Sequence, residues 1–444
     1  MISSVQSRQF FGFKAVSPQI VPVLLFGLFL SGCQTLSFTP SSPELSVVTG
    51  KAESIESHAY SIAADQNMVG SLASVDSLEL DTLSDLARHY GLGFNDIATA
   101  NTQLDPWVLK QDQSVLLPLQ FVLPEAPRKG IVLNLANMRM FYYPQDQGKV
   151  LTYPIGIGRD GWNTPLGVTQ IVAKKAEPAW TVPESIHREH QLLGEPLPKV
   201  IPAGPDNPLG NYAMPLGFSG YLIHGTNKPY GIGMQVSHGC VQLYPEDVEV
   251  LFNQVSVGTQ VRIVHQPYLV AWDGDTLYLE AHRPLDKWAK QEKQLQKNLR
   301  KKLEKLAVEK NASIDWPRVD AILARADGVP TPVLLGSPDL PELVVDAIKV
   351  RRPDRLYGQP AVNELTERDW SILTPSFSSE TEAQKLAAML NHQGPQIPAR
   401  KIEKDGLYQV VAGPFKNKKE TQAVAKRIKS NFDMEVTPVK PQVH

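Results

Sequence analysis

Hydrophobic and polar positions change period several times along this chain, and each change marks a candidate unit. Ile20 to Leu30 is an unbroken apolar run of about eleven residues, preceded by Arg8 and Lys14. That is too short for a folded helix to span a bilayer and suits the core of a signal peptide. Residues 34–66 are rich in Ser, Pro and small polar types and read as a tether. Within 67–120, Leu83, Leu86, Ala87 and Tyr90 share one helical face, with Thr82 placed to cap its start and Gly91 to end it. A second short helix carries Phe94, Ile97 and Ala98, and Ser114 to Pro118 reads as a closing strand. Over 128–266 the pattern turns to strands punctuated by Gly and Pro. Ile131–Leu135 and Met138–Tyr142 predict a hairpin, and Val150–Gly156, Val168–Ala173, Gly220–His224 and Thr259–Val264 predict further strands. One helix starts at Pro245, with Val248, Leu251 and Phe252 on one face and Glu246 and Asp247 at its positive end. Residues 267–330 read as a strand pair and a charged helical appendage, and 331–369 as a Pro-rich linker. Residues 370–440 give strand, helix, strand, helix, each helix carrying alanines and leucines or valines on one face.

The chain has 444 residues, 42% of them apolar and 20% charged, which supports packed cores and two to four domains. Lys and Arg number 44 against 46 Asp and Glu, which argues against a general nucleic-acid binder, since those usually carry a basic surplus. Positive charge is local: Asp286 to Lys310 holds nine Lys or Arg and four Asp or Glu. This reads as a solvated helix, with contact to anionic wall polymers or lipid headgroups as the weaker alternative. Two cysteines, Cys33 and Cys240, exclude a disulfide-rich scaffold and a four-cysteine zinc site.

The candidate chemistry lies in Tyr221-Leu222-Ile223-His224-Gly225-Thr226 and Ser237-His238-Gly239-Cys240-Val241, with His224 sixteen positions before Cys240. A free thiol is only a few per cent thiolate near neutral pH. A neighbouring imidazole can take its proton and later deliver it to a leaving amine. Acyl transfer also needs N–H donors aimed at a developing oxyanion. Gly239, directly before the cysteine, leaves the backbone N–H groups of His238, Gly239 and Cys240 unobstructed. The Gly231-Ile232-Gly233 run suits backbone passing close to a substrate. Alone, a cysteine is usually a small core residue and a strand-end histidine structural. A strand ending at His224 beside a loop carrying Cys240 can instead point both into one cleft.

These residues resemble the YkuD-type L,D-transpeptidase family, whose signature is a histidine, a spacer of this length, then Ser/Thr-His-Gly-Cys. The resemblance covers 128–266 and includes Gly204 to Gly210 and Thr164-Pro165-Leu166-Gly167. It implies a mostly β catalytic domain in which Cys240 is the nucleophile and His224 the proton donor and acceptor. Gly225 would orient the base through its carbonyl, and His238 and Gly239 would form the oxyanion loop. Ser237, Gln242 and Thr226 are expected to bind substrate. Many close members carry arginine where Gln242 stands, which bears on donor-peptide binding because glutamine offers no charged fork. No metal or organic cofactor is implied.

Three further resemblances frame that domain. Leu30-Ser31-Gly32-Cys33 resembles the lipobox of bacterial lipoproteins, in which the cysteine is acylated; the alternatives are a plain secretory signal or a Cys33–Cys240 disulfide. Asp81-Thr82-Leu83, Leu86 to Gly91 and Ala100-Asn101 resemble a LysM domain, a small α+β module that binds N-acetylglucosamine-containing glycans. Tyr408-Gln409-Val410-Val411-Ala412-Gly413-Pro414-Phe415 within a βαβα order resembles a SPOR domain, which binds glycan strands stripped of stem peptides. The expected protein is thus a multidomain periplasmic enzyme. It would be anchored by a lipid on Cys33, on the outer membrane by the Gln34 that follows, with septal enrichment. Peptidoglycan stem peptides and glycan strands are the expected partners. The acceptor is left open among a stem peptide, a lipoprotein lysine, water and a free D-amino acid. The alternative is a non-catalytic lipoprotein tethering outer membrane to wall.

Overall fold

The computed structural model describes residues 58–145, 148–192 and 196–441, so the apolar run, Cys33 and most of the predicted tether lie outside the described residues. Among the described residues no helix is long and apolar enough to cross a membrane.

Apolar side chains on both faces of one sheet set the architecture. Gly130–Asn134 and Arg139–Tyr143 pair antiparallel, with Ile131 opposite Tyr142 and Leu133 opposite Met140. They lie in a six-stranded sheet ordered Ala59–Ser61, Lys149–Pro154, Arg139–Tyr143, Gly130–Asn134, Gln260–Val264, Gly167–Gln170. Ile131, Leu133, Met140, Tyr142, Leu151 and Tyr153 face one way, into a core shared with Met214, Ile223, Val241, Val248 and Leu251. Val132, Phe141, Tyr143 and Val150 face the other way, into a second core built with residues 69–123. Strands buried on both faces read as continuous apolar runs, which is the pattern of Ile131-Val132-Leu133. A four-stranded sheet of Lys175–Ala176, Tyr212–Pro215, Leu222–His224 and Val241–Gln242, with the helix Pro245–Gln254, closes the first core.

The second core shows that the 67–120 region is welded to the six-stranded sheet. Its helices Leu83–His89 and Phe94–Ala100 lie between Ala73–Asp76 and Ser114–Leu117, which pair antiparallel. Thr82 Oγ1 accepts the Asp85 N–H at 3.1 Å while Asp85 Oδ2 accepts the Thr82 N–H at 3.3 Å, a capping box of the kind worth about 1 kcal/mol. Arg139, 1% exposed, crosses the seam. Its Nη2 donates to Asp96 Oδ2 at 2.9 Å and to the Gly91 carbonyl at 3.3 Å, its Nη1 donates to Thr152 Oγ1 at 3.2 Å, and its guanidinium lies 3.9 Å from the Phe121 ring centroid.

Two stretches differ from the sequence reading. Ala59–Ser61, at the end of the predicted tether, pairs antiparallel with Lys149–Leu151 as an edge strand. The predicted linker 331–369 runs back over the first module: Ile348–Lys349 pairs parallel with Ala73–Ser74, and Leu356 is buried in the second core. Arg352 clasps Asp81 with two bonds of 2.7 and 2.6 Å, both side chains nearly inaccessible. Prolines here limit regular hydrogen bonding without preventing the chain from docking. Tyr268–Asp273 and Thr276–Ala281 form the predicted pair, covered by the helices Glu292–Glu309 and Trp316–Arg325.

The last module is a four-stranded sheet ordered Ala399–Lys404, Leu407–Phe415, Trp370–Leu373, Thr437–Val439, with Glu380–Asn391 and Lys418–Phe432 as its helices. Ile372, Leu386, Leu390, Val410, Ala412 and Ile428 form its core. It docks on the first module through His392 Nε2, 3.0 Å from Asp85 Oδ1, and Lys385 Nζ, 3.0 Å from Asp105 Oδ2.

Candidate active site

Strand register brings Cys240 and His224 together. Leu222–His224 runs parallel to Val241–Gln242, with Ile223 opposite Val241 and His224 opposite Gln242. Ile223 and Val241 are buried in the first core. Alternation therefore sends His224 and Gln242, and Cys240 one step before the strand, to the opposite face. His224 and Cys240 are therefore diagonal neighbours on that face.

The imidazole is fixed from behind. His224 Nδ1 lies 2.6 Å from the Gly225 carbonyl oxygen, so it carries the hydrogen and Nε2 the lone pair. The Leu209–Gly210 turn presses on this backbone: a Cβ at Gly210 would lie 2.8 Å from the Thr226 nitrogen. Burial pushes the His224 pKa down to about 4, against the pull of the Gly225 and Leu209 backbone. Burial pushes the Cys240 thiol up to about 11, against the Leu222 backbone. Burial thus favours the neutral imidazole and the neutral thiol alike at neutral pH. The thiol is half-buried and its Sγ lies 3.8 Å from the Gly220 carbonyl.

The structure corrects four expectations around Cys240. Gly239 is not an open donor: its N–H is taken by Ser237 Oγ at 3.1 Å. Its contribution is conformational, at φ +104°, where a Cβ would also lie 2.8 Å from Tyr221 Cε1. Ser237 does not face substrate, since its hydroxyl is buried and donates to the Cys240 carbonyl at 2.6 Å. Thr226 is likewise buried, and its Oγ1 accepts the Lys228 N–H at 2.9 Å. Among the described residues the N–H groups of His238 and Cys240 have no acceptor. The Gly231–Gly233 run, expected beside substrate, packs on the first module instead. The Ile232 carbonyl accepts the Phe94 N–H at 2.9 Å, and a Cβ at Gly233 would meet Phe94 nitrogen at 2.5 Å. Gln242 exchanges backbone bonds with Gly156 at 2.9 and 2.8 Å, its side chain alongside.

Gly239→Ala combines a left-handed φ with a side-chain collision. It is expected to cost about 1–3 kcal/mol of stability, measured by urea unfolding, and to displace Cys240, measured as slower thiol alkylation.

Four residues at the site carried no assigned role in the sequence reading. Thr164 Oγ1 donates to the Gly239 carbonyl at 2.8 Å and accepts the Gly158 N–H at 3.2 Å, fastening the loop. Trp162 packs edge-on to His238 with ring centroids 4.9 Å apart. Arg159 and Glu189 both reach His238. No local signal singles out Glu189, one charge among several in the polar helix Glu184–Leu192. Among the described residues no cluster of three or more His, Cys, Asp or Glu could hold a metal ion.

A family model for the L,D-transpeptidase catalytic domain matches residues 128–263, and one for the SPOR domain matches 366–436. The probable L,D-transpeptidase YbiS of Escherichia coli K12 is 44% identical over 201 residues, which is 45% of this chain and 65% of that protein. The probable L,D-transpeptidase ErfK/SrfK of the same strain is 40% identical over 259 residues, 57% of this chain and 83% of that protein. The chain belongs to the L,D-transpeptidase family. Among solved structures, the catalytic domain of the Enterococcus faecium L,D-transpeptidase is 27% identical, with a TM-score of 0.25, covering 32% of this chain and 99% of that one. This L,D-transpeptidase family member thus joins a YkuD catalytic domain to a SPOR domain, and His224, Cys240 and their supports all fall within the catalytic match.

Proposed function

We propose that this chain is a cysteine-dependent L,D-transpeptidase of the cell envelope that acts on peptidoglycan stem peptides. The observation that carries the reading is the diagonal placement of His224 and Cys240 on one face of adjacent parallel strands, with His224 Nδ1 committed to Gly225. Nε2 of His224 takes the thiol proton as Sγ attacks the carbonyl before the terminal D-residue. The oxyanion faces the N–H groups of Cys240 and His238. Collapse breaks the amide bond, and the D-residue leaves as an amine with the proton held by His224. The resulting thioester is attacked by an amine of another stem, whose proton passes through His224 to the departing thiolate. The base contributes about 10²–10⁴-fold and each oxyanion donor about 10²–10³-fold.

The SPOR domain supports a periplasmic, septal location on glycan. The βααβ order at 73–117 fits a LysM-like fold, though its welded seam makes it part of the catalytic body. Lipidation at Cys33 would add a membrane anchor. Acceptors remain a stem peptide, a lipoprotein lysine, water or a D-amino acid. The purified chain incubated with a disaccharide-tetrapeptide is expected to release D-alanine, and with an added amine to give a product of matching mass. No release, with no carbapenem adduct on Cys240, would leave a non-catalytic wall tether as the reading.

A further inference from the structure

One network beside Cys240 has no part in the steps just described. Arg159, Glu189 and His238 come from three separate segments and meet at one carboxylate. Glu189 Oε1 accepts from Arg159 Nη2 at 2.5 Å, and Glu189 Oε2 lies 2.8 Å from His238 Nε2. Arg159 Nη2 is also 2.9 Å from His238 Nε2. In a neutral ring that nitrogen holds either a hydrogen or a lone pair. The ionised carboxylate favours a hydrogen on Nε2 and the lone pair on Nδ1, so Arg159, a donor only, meets Nε2 as a neighbour and reaches the ring through Glu189.

The charges facing His238 are Glu189, Arg159 and His190. Burial works against the charge on Glu189, but its bonds to His238 and Arg159 outweigh this and hold the carboxyl below its ordinary range. Burial pushes the imidazole of His238 down, Arg159 and His190 push the same way, and Glu189 resists. The network is tied to the main chain as well, because the Arg159 N–H donates to the Ser237 carbonyl at 3.0 Å. The helix that carries Glu189 buries only Ile186 among its described side chains, so the carboxylate is a principal anchor of that helix. His238 supplies one of the two open N–H groups of the loop, so the set of its ring bears on where those groups point.

We propose that Glu189, with Arg159 as its counter-charge, is a positioning residue for acyl transfer at Cys240: by holding the ring of His238 it fixes the aim of the His238 and Cys240 N–H groups. The proposal rests on Cys240 being the acylated nucleophile. Releasing the ring of His238 would free the backbone on both sides of it and misdirect those donors, with little change in the surface that binds the donor peptide. The effect should fall on kcat more than on KM.

The test uses the full mature chain and D-alanine release from a disaccharide-tetrapeptide. Glu189→Gln keeps the size and removes the charge. It is expected to lower kcat about 10- to 100-fold, less than the full loss of one oxyanion donor, with KM within about threefold. Glu189→Asp should recover part of the loss. His238→Gln should match Glu189→Gln, and the double variant should be no slower than His238→Gln alone. Nitrogen NMR of the His238 ring should show the Nε2–H tautomer in the wild type and a mixture in Glu189→Gln. Thermal melts identify misfolding, in which case Glu189→Asp carries the comparison. Wild-type kcat in Glu189→Gln, or losses that multiply in the double variant, overturn the proposal. A wild-type chain that neither releases D-alanine nor takes a carbapenem adduct overturns the Cys240 reading and this proposal with it.

Discussion

Cys240→Ala is expected to abolish D-alanine release, a loss of at least about 10⁴-fold, while the protein still binds sacculi through its SPOR domain. The reason is chemical: Cys240 carries the only free thiol among the described residues, and a thioester needs one. His224→Gln should cost about 10²–10⁴-fold, because the thiol then has no acceptor for its proton. The pH profile distinguishes this pair from one that rests as thiolate and imidazolium. Burial lowers His224 to about 4 and raises Cys240 to about 11. The base works only when neutral, so kcat/KM should rise with pH through about 4 as His224 loses its proton, then stay level across neutrality. A limb near the ordinary histidine pKa would mean that burial does not set the protonation of His224. Persistent cross-linking by Cys240→Ala would mean that the nucleophile lies elsewhere.

The second large effect is structural. Asp96→Ala removes the carboxylate that faces Arg139 across the seam between the 67–120 region and the six-stranded sheet. Arg139 is left charged and nearly inaccessible, its remaining direct partners being the Gly91 carbonyl, Thr152 Oγ1 and the Phe121 ring. Breaking a buried pair from one side costs about 3–5 kcal/mol, whereas replacing both partners with apolar groups can be nearly neutral. Denaturant unfolding should therefore show a large loss for Asp96→Ala and a smaller one for Asp96→Leu combined with Arg139→Met. A negligible loss for Asp96→Ala would mean that the guanidinium finds water, and that the seam is looser than a shared core requires.

The local chemistry of the site was legible because its residues sit close together in sequence and their types are unusual in combination. His224 ends a short apolar strand, Gly225 follows it, and Cys240 stands just before Val241. Those neighbours fix backbone direction, and alternation does the rest. The hydroxyls differ from expectation for a related reason. Sequence shows that Ser237 and Thr226 carry donors and acceptors but not which backbone groups they satisfy. Both are spent on local turns, and the Gly239 N–H is spent on Ser237. Glu189 and Arg159 were invisible because thirty and forty-nine positions separate Glu189 from its partners, and nothing local in a polar helix distinguishes one carboxylate from another.

The same division holds for the whole chain. By itself, the sequence determined the hairpin at 130–143, the helix from Pro245 and two strand-then-helix pairs of the last module, since each follows from short-range periodicity and turn chemistry; the strands Ala399–Lys404 and Thr437–Val439, which make that module βαββαβ and not the expected βαβα, lie in polar stretches with no such pattern. Only the tertiary structure decided what covers the second face of the six-stranded sheet. Val132, Phe141 and Tyr143 are apolar whichever surface they meet, and their burial against the 67–120 region depends on contacts that no local pattern encodes. It also decided that residues 331–369 lie along the first module, where Arg352 finds Asp81 from 271 positions away. Such pairings arise from the shape and charge of surfaces that exist only once each module has folded.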